Sequence, residues 1–192
     1  MLDVIIFLGS PGSGKGTQAL KLSKQFGFKH ISIGDVLRSN VEDRTDLGLS
    51  AKKFMQNGDL VPDDVIIGMV ESSFKTYLSP ESNLTKIIFD GFPRTKSQAI
   101  SLDSKIQAFG LRLISVVFLD VPDSVVQDRL ISRRRDDDSP ELVSNRLRVY
   151  KDLTEPLLEY YKTKGILTKI DGDRSPDIVF SNLVDMIELK VK

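Results

Sequence analysis

The stretch Gly9-Ser10-Pro11-Gly12-Ser13-Gly14-Lys15-Gly16-Thr17 has the residue types and spacing of an anion cradle. Glycines let main-chain N–H groups turn inward around a negative ligand, and a following helix adds the positive end of its dipole. Lys15 brings a mobile cation for terminal phosphates. In the general phosphate-loop pattern Ser or Thr directly follows the Lys. Here Gly16 intervenes, so Thr17 is the candidate hydroxyl on the magnesium side. The competing reading is a plain glycine-rich turn. The apolar run Val4 to Leu8 before the loop, the helical pattern after it and the Lys in register favour phosphate binding.

Ligands of parallel α/β sheets sit beyond the carboxyl ends of the strands, so the residues that follow each apolar run carry the next signals. Asp90-Gly91-Phe92-Pro93-Arg94 closes the third run. An Asp at that place beside a phosphate loop suits Mg²⁺, against the plainer reading of a helix cap or turn. Motor-type ATPases tend to follow such an Asp with a Glu that activates water. Gly91 stands there instead, which favours transfer to a bound acceptor over hydrolysis. Arg94 shares that loop and Arg38 follows the second run; a planar, permanent cation binds phosphate in two-point fashion. Each alone could be a surface Arg, but two at adjacent strand ends carry more weight.

A basic cluster comes next: Arg129, Arg133, Arg134, Arg135, Arg146 and Arg148. Arg129 and Arg133 are four apart and share a helix face. Arginines aimed at a migrating phosphoryl group supply about 10³–10⁵ in rate. Because Asp136, Asp137 and Asp138 follow at once, composition alone favours a solvated Arg/Asp hairpin. The phosphate loop reverses that preference.

These residues need rigid carriers. Val4–Leu8, 30–33, 86–89, 114–119 and 166–170 read as buried strands. Between them run helical patterns over 14–26, 63–77 (opened by Pro62 and Asp63), 95–109, 124–132, 141–164 and 176–190. Pro156 should kink or split the long one. Strand and helix in alternation predict an α/β fold, a parallel sheet covered on both faces. The polar stretch from about Gly34 to Val61, punctuated by Gly48 and Gly58, reads as a small helical insertion at the strand ends.

Composition sets the bounds. The chain has 192 residues, 27 Lys and Arg against 27 Asp and Glu, and one His. Zero net charge gives no support for a general nucleic-acid or anionic-membrane surface. At 40% apolar and 28% charged residues the chain is not a disordered one. It has no Cys, which excludes disulfides and a cysteine zinc knuckle. No apolar run approaches the roughly 20 residues of a spanning helix, and Met1-Leu2-Asp3 lacks the basic start of a secretory signal. A cytoplasmic protein is the expectation. His30, ahead of a strand, is read as structural or surface, without a catalytic role.

Together these segments resemble the adenylate kinase family of nucleoside monophosphate kinases along nearly the whole chain. The loop 9–18, with its Gly–Thr order, looks like that family's phosphate loop, and Asp90-Gly91-Phe92-Pro93-Arg94 like its central signature. Residues 32–38 look like its monophosphate-site entry, 58–62 like the end of its monophosphate-binding insertion, and Arg146 and Pro156 fall in register. The resemblance implies a P-loop NTPase-type, doubly wound, five-stranded parallel sheet. It implies one core domain over 1–192, with a monophosphate-binding insertion at 34–62 and a minimal lid turn at 133–138.

By that resemblance Arg38 and Arg94 hold the acceptor's phosphate, and Lys15, Arg133, Arg135 and Arg146 surround the transferring group. The ATP side takes Gly12, Ser13, Gly14, Lys15, Gly16 and Thr17 of the loop, with Arg129 along the adenine, Arg133, Gly172 and Arg174. The AMP side takes Ile33, Arg38, Leu60, Val61, Gly91, Arg94, Gln98, Arg135 and Arg146. Asp90 and Thr17 orient Mg²⁺ through water or phosphate. Gln98, four residues past the signature Arg, reads adenine, where pyrimidine-specific relatives tend to carry Asn. Ile33 departs from the Thr usual in the family, and only Arg134 separates Arg133 from Arg135, so the lid is a tight turn without zinc.

The resulting expectation is MgATP plus AMP giving two ADP, by a monomer with ATP and AMP as its partners. A UMP/CMP kinase is the alternative that Ile33 permits and Gln98 opposes. A nucleotide-binding module without transferase activity is the other, opposed by intact Lys15, Asp90, Arg38, Arg94 and Arg146.

Overall fold

The computed structural model describes residues 2–79, 83–133, 135 and 138–191. The strands are β1 (Asp3–Leu8), β2 (Lys29–Ser32), β3 (Lys86–Asp90), β4 (Arg112–Asp120) and β5 (Leu167–Asp171). The helices are α1 (Lys15–Phe26), α2 (Ile33–Glu42), α3 (Asp46–Asn57), α4 (Asp63–Tyr77), α5 (Lys96–Ala108), α6 (Asp123–Arg133), α7 (Pro140–Val149), α8 (Leu157–Thr163) and α9 (Pro176–Val191).

All five strands pair in parallel, in the order β2-β3-β1-β4-β5. Such a sheet is buried on both faces, and β1 shows it, since all six of its residues are buried. Their side chains alternate between two cores. Val4, Ile6 and Leu8 join Ile66, Val70 and Phe74 of α4 and Ala99, Leu102 and Ile106 of α5. Ile5 and Phe7 join Ala19 and Leu22 of α1 and Val179, Leu183 and Met186 of α9. A third cluster, with Val126, Leu130, Val143 and Leu147, packs α6 against α7.

The chain leaves β1 toward β2 on one side and leaves β3 toward β4 on the other. A crevice therefore opens at the carboxyl ends of β1 and β3. Phe7 stands opposite Asp90 there, and Ser32 flanks Asp90 from β2.

Three expectations shift. Ile33 is the first residue of α2, not the end of a strand, because the Ser32 hydroxyl accepts the Asp35 N–H and caps that helix. Gly48 does not punctuate the insertion. It lies inside α3 where that helix meets α2, and a Cβ there would stand 1.9 Å from the Asn40 carbonyl oxygen. Gly58 does end α3, in the left-handed conformation. The long helix splits as Pro156 requires, but the disturbance begins earlier, as a π-turn over Tyr150–Thr154.

Candidate active site

The loop after β1 works through its backbone. Gly12 has φ 86° and Gly14 φ 96°, values open to glycine. A Cβ on Gly12 would lie 2.8 Å from the Val126 carbonyl oxygen and 2.9 Å from Leu130, so α6 packs directly on the loop. Gly14 offers α1 no side-chain cap, and the first turn of α1 has no acidic residue. The first N–H groups of α1 thus take no acceptor from a cap or acidic side chain, an arrangement that suits an anion. Lys15 folds over the loop, its Nζ donating to the carbonyls of Gly9 at 2.8 Å and Ser10 at 2.9 Å. Burial pushes its ammonium down to about 8. Asp90 opposes that shift, and Arg94, Arg146 and Arg133 add to it.

Asp90 ends β3 beside the loop; a Cβ on Gly16 would stand 3.3 Å from its Oδ2. Burial alone would raise the Asp90 carboxyl. The His30 hydrogen bond at 3.4 Å and the charges of Lys15, His30 and Arg94 outweigh it and hold the carboxyl below the ordinary range. His30, which the sequence presents as structural or surface, therefore lines the cleft against Asp90.

Arg94 folds back so that its Nε donates to the Gly91 carbonyl at 2.8 Å. Gly91, at φ 74°, leaves room for this, since a Cβ would sit 2.8 Å from Arg94 Nη2. Thr154, on the π-turn, donates its hydroxyl to the Arg94 carbonyl at 2.8 Å. The distortion of the helix thus has a structural consequence at the site. Arg38 pairs with Asp35 within α2.

Asp138 organises the arginines. Its side chain is 1% exposed and accepts from Arg133 Nε at 2.9 Å, Arg133 Nη2 at 2.7 Å and Arg146 Nη1 at 3.2 Å, and from the Arg135 N–H at 3.1 Å. Burial works against ionisation of this carboxyl, and the Arg133 and Arg135 hydrogen bonds with the Arg charges depress it regardless. Arg129 reaches across to the Gly172 carbonyl at 3.2 Å, and Arg174 pairs with Asp171.

These groups face one cleft of about 690 Å³. The loop residues Gly12, Ser13, Gly14, Lys15, Gly16 and Thr17 line it, with Asp90, Gly91, Arg38, Leu60 and Arg94. Arg129, Arg133, Arg135, Arg146, Gly172 and Arg174 line it as well. A smaller depression of about 70 Å³ continues from it, lined by Ile33, Leu37, Met55, Leu60, Val61 and Gln98 and shared with Arg38, Gly91, Arg94 and Arg146. Every residue expected at the ATP and AMP sides therefore lies at one hollow or the other. Arg134, Asp136 and Asp137 of the expected lid turn lie outside the described residues.

Sequence reasoning passed over Asp138, hidden in a run of like charges. It also passed over Asp63 and Thr95, which hold Gln98. The Thr95-Lys96-Ser97-Gln98 spacing is that of a capping box and was a usable signal. Among the described residues no group of three or more His, Cys, Asp or Glu is arranged to hold a metal. Asp90 and Thr17, both in the cleft lining, offer it a carboxylate and a hydroxyl. That set suits a small hard cation that keeps its waters and arrives with phosphates.

Comparison with known proteins agrees with this geometry. Residues 7–166 match the family model described as adenylate kinase. The chain is 43% identical over 185 residues to an adenylate kinase of Thermus thermophilus, covering 94% of this chain and 95% of that one. It is 43% identical over 188 residues to adenylate kinase 1 of a Synechocystis species, covering 98% of each. It is 45% identical over 172 residues to an adenylate kinase of Xylella fastidiosa, covering 88% of this chain and 90% of that protein. With its phosphate loop, its strand-end Asp and its two sets of arginines in one cleft, the chain belongs to the adenylate kinase family.

Proposed function

We propose that this protein transfers the terminal phosphoryl group of MgATP to AMP, reversibly, giving two ADP. One observation carries the reading. The glycine loop with Lys15 and the pair Arg38 and Arg94 line a single cleft, and a smaller hollow lined by Gln98 opens beside the two arginines.

In this reading the loop N–H groups and Lys15 hold the donor's phosphates. Arg129, Gly172 and Arg174 flank the donor base. Arg38 and Arg94 hold the acceptor phosphate, and Ile33, Leu60 and Val61 pack its base. Arg133, Arg135 and Arg146 stabilise charge on the group in flight. The acceptor phosphate is already an anion, so no general base is required and positioning dominates. Asp90 and Thr17 would hold Mg²⁺ through water and phosphate; when bound, the ion neutralises phosphate charge.

Residues 34–62 act as the acceptor-side insertion and 133–138 as a minimal lid on one core domain. Apolar Ile33 replaces a hydroxyl by packing against the acceptor base. The same reading takes the protein as a cytoplasmic monomer. Among the described residues no helix is long and apolar enough to cross a membrane.

A coupled assay with AMP, CMP, UMP, GMP and no acceptor tests the proposal. Rapid turnover with AMP alone is expected. Preference for CMP or UMP would reassign the acceptor, ATP loss without acceptor would indicate a hydrolase, and no turnover would indicate a binding module.

A further inference from the structure

Gln98 is 2% exposed and its side-chain amide is held from two directions. The main-chain N–H of Arg94 donates to Gln98 Oε1 at 2.7 Å. Gln98 Nε2 donates to Asp63 Oδ1 at 2.7 Å. Asp63 is itself fixed, because Thr95 Oγ1 donates to its Oδ2 at 2.8 Å while accepting the Gln98 N–H at 3.1 Å.

The two partners differ in kind. A main-chain N–H only donates, and a carboxylate only accepts. A flipped amide would set N–H against N–H and carbonyl oxygen against carboxylate, so the order of oxygen and nitrogen in Gln98 is dictated by its surroundings. Each partner uses one lone pair or one hydrogen, which leaves Gln98 one acceptor and one donor for the small hollow it lines.

We propose that Asp63 is a positioning residue for acceptor selection. By locking the Gln98 amide in one orientation it makes the site accept a 6-amino purine monophosphate and reject a 6-oxo one. A 6-amino purine offers an N–H donor at position 6 and a ring acceptor at position 1. A 6-oxo purine offers the reverse, and an amide free to flip would serve both. With the amide fixed, the 6-oxo base meets like against like at both atoms. Mismatch of buried hydrogen-bonding groups discriminates far better than a lost apolar contact. Asp63 does this without touching the base, and the inference rests on the reading of this hollow as the acceptor-base pocket.

The test compares kcat/KM for AMP and for inosine monophosphate in the unmodified protein, Gln98→Ala and Asp63→Ala, with thermal midpoints measured alongside. Asp63→Ser, whose hydroxyl can donate or accept, serves if the Ala variant does not fold. The expected result is that Asp63→Ala lowers the AMP preference by about tenfold, the scale of one oriented hydrogen bond to a charged group. The loss should come through a higher KM for AMP and a gain for the inosine nucleotide, with kcat for AMP within about twofold. If Gln98→Ala abolishes the preference while Asp63→Ala and Asp63→Ser keep it in full, the lock is overturned and the base-reading stands. If Gln98→Ala also keeps it, the base-reading itself fails and the lock with it.

Discussion

Asp138 grips Arg133 at two points, with Nε and Nη2 of the guanidinium 2.9 and 2.7 Å from its two carboxylate oxygens. The same carboxylate takes Arg146 at 3.2 Å. Two arginines that would crowd a phosphoryl group are thus held close together by a carboxylate of the protein. Their mutual repulsion is screened by a buried anion, and their geometry is set in advance. Loss of Asp138 should therefore act on catalysis through the arginines. Asp138→Ala is expected to lower kcat by about 10²-fold, less than outright loss of a phosphoryl-contacting Arg. Stopped-flow or coupled kinetics beside Arg133→Ala would measure it, and unchanged kcat in the Asp138 variant would contradict the role.

The same carboxyl makes an acid-range prediction. Its folded pKa lies below the ordinary carboxylate value, so its stabilisation is present above that ordinary value and fades as pH falls through the folded one. Asp90 behaves alike. Urea midpoints followed downward from about pH 6 should fall with acid, and Asp138→Asn should flatten that fall. A variant with the parent's full acid sensitivity would contradict it.

Arg94→Ala should lower kcat/KM for the acceptor by about 10³-fold, since charge and alignment are lost together. The Arg94 N–H that orients Gln98 is main chain and survives the substitution. The variant should therefore retain its preference for AMP over inosine monophosphate while losing rate, which the same acceptor assay reads. Near-normal rates would show that Arg94 does not meet the acceptor phosphate.

Lys15 should couple nucleotide binding to protons. Burial holds its pKa at about 8, and donor phosphates brought against it raise that value. Binding of MgATP should therefore take up protons as pH rises through about 8, and affinity should decline above it. Calorimetry in buffers of different ionisation enthalpy reads the uptake directly. Zero proton uptake at about pH 8–9 would contradict the assignment.

Gly12→Ala should be costly in structure as well as function. The position has φ 86°, and the new methyl would meet the Val126 carbonyl and Leu130 of α6. A loss of roughly 2–3 kcal/mol is expected from backbone strain and overpacking. Thermal unfolding checks this; a variant as stable as the parent would show that α6 yields easily.

What could be read from the sequence was what repeats or contrasts along it. Unbroken apolar runs gave the strands, and Pro62 with Asp63 located the start of α4. The phosphate loop stood out because glycines, a Lys and a Thr are rarely so spaced. What could not be read depends on distance in space. Asp138 differs from a solvated Asp because α6 brings Arg133, and α7 brings Arg146, onto it. His30 gains meaning from Asp90, sixty residues on. Gly48 resembles a break until α2 lies across it. Asp63 announced a helix start, while its partners Thr95 and Gln98 arrive only when α4 and α5 pack side by side.

The central claim is that one cleft takes two nucleotides with their phosphates facing each other, and one binding measurement addresses it. Two adenosines joined through five phosphates should bind one per chain by calorimetry, far more tightly than ATP or AMP, because a single molecule fills both halves. Bound, it should exclude both mononucleotides. Affinity no better than that of ATP, with AMP still able to bind beside it, would contradict the account.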